Sequence, residues 1–198
     1  MCESIESLDR SLFLFLNGIH TDWMDPIMQS ISSKTFWIPL YLLIFFFIQR
    51  KFGWKNLGWF ALGVALVILF CDQISSTILK PYFGRYRPCN NLDIKALVHT
   101  VNGGCGSGYS FVSGHATNFF GLSIFAARFF KHTYAHVLFF CWATTIAYSR
   151  IYLGLHYPAD LFCGACLGFC LGTGLYLLNR WAVLKTDGKY GLDESRKR

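Results

Sequence analysis

The segment from Leu57 to Leu79 limits the possible folds more than any other part of the chain. Asp72 is its one charged residue, and the segment is long enough to cross a bilayer as a tilted helix. A soluble domain of 198 residues would not need so much apolar surface, since 54% of the residues are hydrophobic and 15% are charged. The sequence therefore predicts an integral membrane protein.

Similar apolar segments recur along the chain, each bounded by polar or basic residues. About five transmembrane helices are predicted, at approximately 35–49, 57–79, 115–130, 137–153 and 161–178. Before them, apolar residues recur at helical spacing from Leu8 to Ile19, which indicates an amphipathic helix on the bilayer surface, and 23–31 favours a second.

The predicted fold class is therefore all-α, an integral membrane helical bundle with N-terminal amphipathic surface helices. A single membrane domain is expected over residues 1–198. It divides into interfacial helices at 1–35, a transmembrane core at 36–181 and a cytoplasmic tail at 182–198.

The formal net charge of +7 indicates membrane topology. Basic residues lie between the apolar runs rather than in one stripe, so the bilayer is the expected partner and nucleic acid is not. Five spans place the 50–56 loop, the 131–136 loop and the tail on the side richer in Lys and Arg. The positive-inside rule then predicts a cytoplasmic C-terminus, with the 80–112 loop outside. The oligomeric state is left open.

Two segments on that outer face carry groups that bind anions. Lys80 and Arg87 follow the second span. Ser113, Gly114 and His115 open the third span, where a serine N-cap and free backbone N–H groups favour an anion.

A third segment runs from Arg150 through His156 to Asp160. Arginine is suited to phosphoryl oxygens, histidine can act as a nucleophile or base, and a carboxylate can fix the tautomer of the imidazole. Taken alone, the segment fits an interfacial pair reaching towards headgroups equally well. The meeting of all three segments at one face predicts a phosphate site.

In order, spacing and position at span ends, these segments resemble the three signature motifs of the type 2 phosphatidic acid phosphatase superfamily. The matching residues are Lys80, Arg87 and Pro88, then Ser113, Gly114 and His115, then Ser149, Arg150, His156 and Asp160. Val112 replaces a proline that the family usually has, which affects rigidity more than chemistry. The family usually has six spans, and the five spans predicted here are expected to correspond to the family's last five.

The resemblance implies a metal-independent lipid phosphatase without a cofactor. His156 would attack phosphorus and become phosphohistidine, and Asp160 would hold its other ring nitrogen. His115 would protonate the leaving oxygen and then help a water molecule to hydrolyse the phosphohistidine. The phosphate oxygens would be bound by Lys80, Arg87, Ser113, the Gly114 N–H and Arg150.

The resemblance also implies a substrate class and a location. Small members of the family are often bacterial and act on undecaprenyl diphosphate or phosphatidylglycerophosphate. The first is favoured, with phosphatidic acid-type lipids as further candidates. The expected location is the bacterial inner membrane, with the active site facing the periplasm.

Two other classes of protein have similar residues in their sites. Vanadium haloperoxidases use a similar set, but they are soluble. A phosphate or lipid-phosphate transporter that binds without hydrolysis would place its site near the bilayer midplane, whereas here the cations lie at span ends.

Three further features of the sequence carry predictions. Asp72, inside a span, indicates support for a site cation, a proton path or a structural hydrogen bond to a neighbouring helix. Cys89 and Cys105 share the outer loop, where an oxidising compartment would permit a disulfide. Small residues at four-residue spacing on the fifth span predict close helix packing within the monomer; they are Gly164, Gly168 and Gly172.

Overall fold

The computed structural model describes residues 2–106, 108–130 and 132–187, and its architecture is all-helical. The α-helices are α1 (Cys2–Asn17), α2 (Asp25–Ser32), α3 (Ile38–Asp72), α4 (Lys80–Phe83), α5 (Gly114–Ala127), α6 (Thr133–Tyr152) and α7 (Pro158–Asp187). A π-helical segment, Gln73–Leu79, joins α3 to α4. The predicted all-α fold class is confirmed.

Two helical stretches, Thr35–Phe83 and Pro158–Thr186, are long and apolar enough to cross a membrane. The first is interrupted at Gly53, whose φ of 79° and ψ of 173° divide α3 into two halves. This break falls in the basic segment that separates the first two predicted spans. At the other end of the chain, α7 continues past 181 to Asp187, so the predicted tail begins as helix, and its remainder at 188–198 lies outside the described residues.

Helix α5 lies at the centre of the bundle and packs against α7, α6 and α3. Its contact with α7 is backbone to backbone, because a Cβ at Gly168 would collide with the carbonyl oxygen of Thr117. A Cβ at Gly172 would collide in the same way with the carbonyl oxygen of Gly121. Close glycine packing within the monomer is therefore confirmed, and it brings the start of α7 beside the start of α5.

Helix α1 is amphipathic, as predicted. Its inward face carries Asp9, Phe13 and Asn17, at four-residue spacing, and all three are buried. The Phe13 ring packs on Tyr157 with ring centroids 5.3 Å apart. The other face exposes a stripe of large apolar side chains: Ile5, Leu8, Leu12 and Phe15.

The long loop between α4 and α5 is closed by a disulfide between Cys89 and Cys105, whose Cα atoms are 5.8 Å apart. The pairing that the sequence left open is thus formed. The backbone N–H of Ser110 donates to the carbonyl oxygen of Arg85 at 2.7 Å, and Tyr86 forms an isolated antiparallel bridge with Tyr109. These contacts hold the two ends of the loop side by side above α5 and α7.

Candidate active site

The turn between α6 and α7 places His156. Helix α6 ends at Tyr152, and Gly154, just beyond its C-cap, has a φ of 72° and donates its N–H to the Ile151 carbonyl at 2.9 Å. A Cβ at Gly154 would lie 2.7 Å from Val98 Cγ1, so the loop can pack on this turn only because the residue is glycine. His156 follows two residues later and is 1% exposed.

The Asp160 carboxylate, on the first turn of α7, is held by three donors. Arg85 Nη1 donates to Oδ1 at 2.7 Å, and the backbone N–H of Tyr157 donates to Oδ2 at 2.9 Å. The Ser110 hydroxyl donates to Oδ2 in a short hydrogen bond. These contacts satisfy a carboxylate that is fully buried.

The sequence predicts that Asp160 holds the second ring nitrogen of His156, and the structure shows a serine between them. His156 Nδ1 lies 3.7 Å from Asp160 Oδ2, beyond hydrogen-bond distance, but 3.2 Å from Ser110 Oγ. Since Ser110 gives its proton to Asp160, its oxygen is free to accept one from Nδ1. This chain of contacts favours the tautomer in which Nε2 carries the lone pair.

Burial lowers the pKa of His156 to about 4. The Asp160 carboxylate opposes this shift, whereas the charges of Arg150 and Arg87 add to it. At neutral pH the imidazole is therefore uncharged and can act as a nucleophile.

Three cations lie near the two histidines, since Arg150 and Lys80 act electrostatically on His115, and Arg150 and Arg87 on His156. Lys80 interacts electrostatically with Arg87 and Arg150, and His115 interacts with Lys80, Arg150 and His156. Arg87 is 8% exposed, and its guanidinium lies against Gly106, where a Cβ would be 3.2 Å from Nη1.

These cations have few counter-charges. Across the described ranges no ion pair within 4 Å is formed by Lys80, Arg87 or Arg150, and the buried Nε–H groups of both arginines lack a hydrogen-bond partner there. Burial lowers the pKa of Arg87, which reflects the cost of keeping that charge away from water. An anion with several oxygens would satisfy these donors.

The start of α5 completes the site. Ser113 is the N-cap, and its Oγ accepts from the backbone N–H of Ala116 at 3.4 Å. Its own backbone N–H donates to the Asp160 carbonyl at 3.1 Å, which joins α5 to α7. Lys80 Nζ lies 4.0 Å from the position of a Cβ on Gly114, so the ammonium and the helix N-terminus face the same space.

The structure thus brings together all of the side chains that the sequence predicted for the site. It adds Ser110 and Arg85, which the sequence analysis did not assign to it. The signal for Arg85 was its place two residues before Arg87 in the same loop, whereas Ser110 had no signal beyond its closeness in sequence to Ser113. Asp72 accepts a hydrogen bond from Asn118 Nδ2 at 2.6 Å, which is the contact with a neighbouring helix that the sequence offered. Its charge also acts on Lys80 electrostatically, without an ion pair within 4 Å in the described residues.

Known proteins resemble this chain in sequence. A family model described as the PAP2 superfamily matches residues 56–183. Lipid A 4'-phosphatase of Bacteroides thetaiotaomicron is 41% identical over 169 residues, which covers 85% of this chain and 75% of that protein. Lipid A 4'-phosphatase of Porphyromonas gingivalis is 35% identical over 184 residues, which covers 90% of this chain and 78% of that protein.

A solved structure shares the fold. The crystal structure of a transmembrane PAP2-type phosphatidylglycerolphosphate phosphatase from Bacillus subtilis superposes with a TM-score of 0.67 at 23% sequence identity. The superposition covers 93% of this chain and 88% of that one. The likeness therefore covers more of the chain than residues 56–183, which the family model matches.

Proposed function

The chain belongs to the PAP2 superfamily and is a lipid phosphatase, and from this premise we propose that it hydrolyses a lipid phosphomonoester through a phosphohistidine on His156. The observation that carries the proposal is the buried imidazole of His156, uncharged at neutral pH, beside the buried Arg87 and the half-buried Arg150. The half-buried Lys80 interacts electrostatically with both arginines. An uncharged imidazole nitrogen can attack phosphorus, and the nearby cations bind the oxygens of the phosphate dianion.

In the first step, the Nε2 lone pair of His156 forms a bond to phosphorus while the bond from phosphorus to the lipid oxygen breaks. His115, which is protonated when the phosphate dianion is bound beside it, gives a proton to that oxygen, so the lipid leaves as an alcohol. The imidazole becomes cationic as it is phosphorylated, and the chain from Nδ1 through Ser110 to Asp160 stabilises that charge.

Lys80, Arg87 and Arg150 bind the equatorial oxygens with the N–H of Gly114, while Ser113 caps the helix that presents this N–H. In the second step His115, now neutral, takes a proton from a water that attacks phosphorus, and the bond to Nε2 breaks. Inorganic phosphate leaves and His156 is neutral again. We propose that no metal takes part, because the three cations supply the charge neutralisation that Mg²⁺ provides in other phosphoryl transfers.

We propose a saccharide lipid of the lipid A type, phosphorylated at the 4' position, as the substrate. Two relatives with at least 35% identity over most of their length are named as lipid A 4'-phosphatases, which supports this choice. Undecaprenyl diphosphate, which the sequence motifs favour, and phosphatidylglycerophosphate become the competitors.

A substrate panel tests this choice. The protein in detergent is given lipid A, phosphatidylglycerophosphate, phosphatidic acid and undecaprenyl diphosphate in the presence of EDTA, and inorganic phosphate is measured. We expect lipid A to be turned over fastest, with mass spectrometry showing loss of the 4'-phosphate. Faster release from undecaprenyl diphosphate would reverse the substrate assignment, and a requirement for added Mg²⁺ would contradict the metal-independent mechanism.

We propose five membrane crossings, formed by the two halves of α3 together with α5, α6 and α7. In this arrangement 1–35 lies at the interface, 36–181 forms the transmembrane core and 182–198 is the cytoplasmic tail. The site then faces the periplasm of a bacterial inner membrane. The excess of basic residues in the 50–56 and 131–136 loops and in the tail supports this orientation.

Reporter fusions after Arg198 test the orientation. We expect green fluorescent protein to be fluorescent there and an exported alkaline phosphatase to be inactive, because the first folds in the cytoplasm and the second outside it. The same two reporters inserted after Asn102, in the outer loop, should give the opposite pattern. An active alkaline phosphatase after Arg198 would overturn both the topology and the periplasmic site.

A further inference from the structure

Asp9 lies on the surface helix α1, outside the residues 56–183 that match the family model, yet it contacts the proposed site. The residue is 8% exposed. One carboxylate oxygen accepts from Arg85 Nη2 at 2.7 Å and the other from the backbone N–H of Ala159 at 2.9 Å. Both donors are close to Asp160, because Arg85 also donates to the Asp160 carboxylate and Ala159 directly precedes Asp160 in the sequence.

Arg85 joins the two carboxylates. Its Nη1 donates to Asp160 and its Nη2 to Asp9, each at 2.7 Å. The guanidinium also stacks over the Tyr157 ring, 3.9 Å from the centroid. Burial alone would lower the pKa of Arg85, but the two carboxylates outweigh this effect and raise the pKa above its usual value. The Arg85 guanidinium is planar, is bonded at both Nη atoms and is stacked on one face, so it has little freedom to move. It therefore fixes the direction of the Asp160 carboxylate.

The second contact of Asp9 is at the start of α7. The N–H groups of the first helical turn have no partner inside the helix, and the Asp9 carboxylate supplies one for Ala159. A negative charge at this end also interacts favourably with the helix dipole. Asp9 therefore holds the turn that carries Asp160 as well as the arginine that orients it.

The position of Asp9 is itself well determined. One and two turns further along the same face of α1, the Phe13 ring packs on Tyr157 and Asn17 Nδ2 donates to the carbonyls of Ile151 and Tyr152 at 3.0 and 2.9 Å. Helix α1 thus contacts residues that come shortly before and directly after His156 in the sequence.

We propose that Asp9 is a positioning residue for the hydrolysis. It acts through Arg85 and the start of α7 to aim the Asp160 carboxylate and, by way of Ser110, to fix the orientation of His156. This inference rests on the proposed nucleophilic role of His156.

Asp9→Asn tests the proposal in the full-length protein. The amide keeps the shape and an oxygen for Ala159 but removes the charge that holds Arg85. We expect kcat to fall about 10- to 100-fold, because small losses of alignment at a reacting group have effects of this size. KM should change less than about twofold, since Asp9 does not contact the phosphate-binding cations. Asp9→Glu should recover part of the loss.

Glu6→Gln is the matched control, since Glu6 lies on the same helix and pairs with Arg10 on its exposed side. It should leave kcat unchanged. An unchanged kcat in Asp9→Asn would overturn the proposal.

A double-mutant cycle separates positioning from simple docking of α1. In an Asp160→Asn background, Asp9→Asn should lower kcat by less than about threefold, because its effect passes through Asp160. Full additivity of the two losses would overturn the proposal. If Asp9→Asn does not accumulate as folded protein, Arg85→Lys takes its place, since lysine keeps the charge but cannot bridge both carboxylates. Full activity in Asp160→Asn itself would instead contradict the site assignment of the proposed function.

Discussion

His156→Ala is expected to abolish phosphate release from every substrate, with a loss on the order of 10⁴- to 10⁶-fold. The variant lacks the nitrogen that forms the bond to phosphorus, so a better leaving group cannot rescue it. The measurement is a pre-steady-state burst of nitrophenolate from nitrophenyl phosphate, together with acid-labile phosphate on the protein. Both signals should be absent.

His136→Ala is a suitable control for this variant. His136 is a half-buried histidine near the start of α6, whereas Arg150 and the turn before His156 lie at the other end of that helix. It should show the wild-type burst and the wild-type amount of phosphoenzyme. A burst in His156→Ala would show that another group forms the covalent intermediate.

His115→Ala is expected to depend strongly on the leaving group. A lipid alkoxide needs a proton in order to leave, so its release should slow by about 10²- to 10⁴-fold. Nitrophenolate leaves without a proton, so the first step with nitrophenyl phosphate should be much less impaired. Because His115 is also needed to activate water, phosphohistidine should accumulate in this variant.

The two histidine variants distinguish the roles when they are compared on both substrates. If His115→Ala lacks the nitrophenolate burst and His156→Ala retains it, the two roles are reversed. Equal losses on the lipid and on nitrophenyl phosphate in both variants would contradict the division of labour between nucleophile and acid.

The helical bundle and the side chains gathered at one of its ends could be predicted because each left a local signal. Apolar runs have the length of a membrane span, and Ser113 before Gly114 is a typical helix start. The charged residues of the motifs stand out because charge is rare in such a chain. Glycines spaced by four along α7 similarly indicated a backbone contact before its partner was known.

The supporting residues could not be predicted because they act over long distances in sequence. Asp9 and Asp160 meet on the same arginine only after α1 has folded back over the start of α7. A lone acidic residue on an amphipathic helix most often faces solvent, so nothing local distinguished Asp9 from Glu6. Ser110 was missed for the same reason, since a serine in a loop has many possible partners.

The three cations of the site have a consequence for product release. They are present before the substrate arrives, and inorganic phosphate keeps the oxygens that they bind. The product therefore competes with the substrate for the empty enzyme, and phosphate in solution stabilises the folded state by binding to it. In the proposed orientation, phosphate in the medium outside the cell would set how much of the enzyme is free to act, which links the rate of lipid dephosphorylation to the supply of phosphate around the cell.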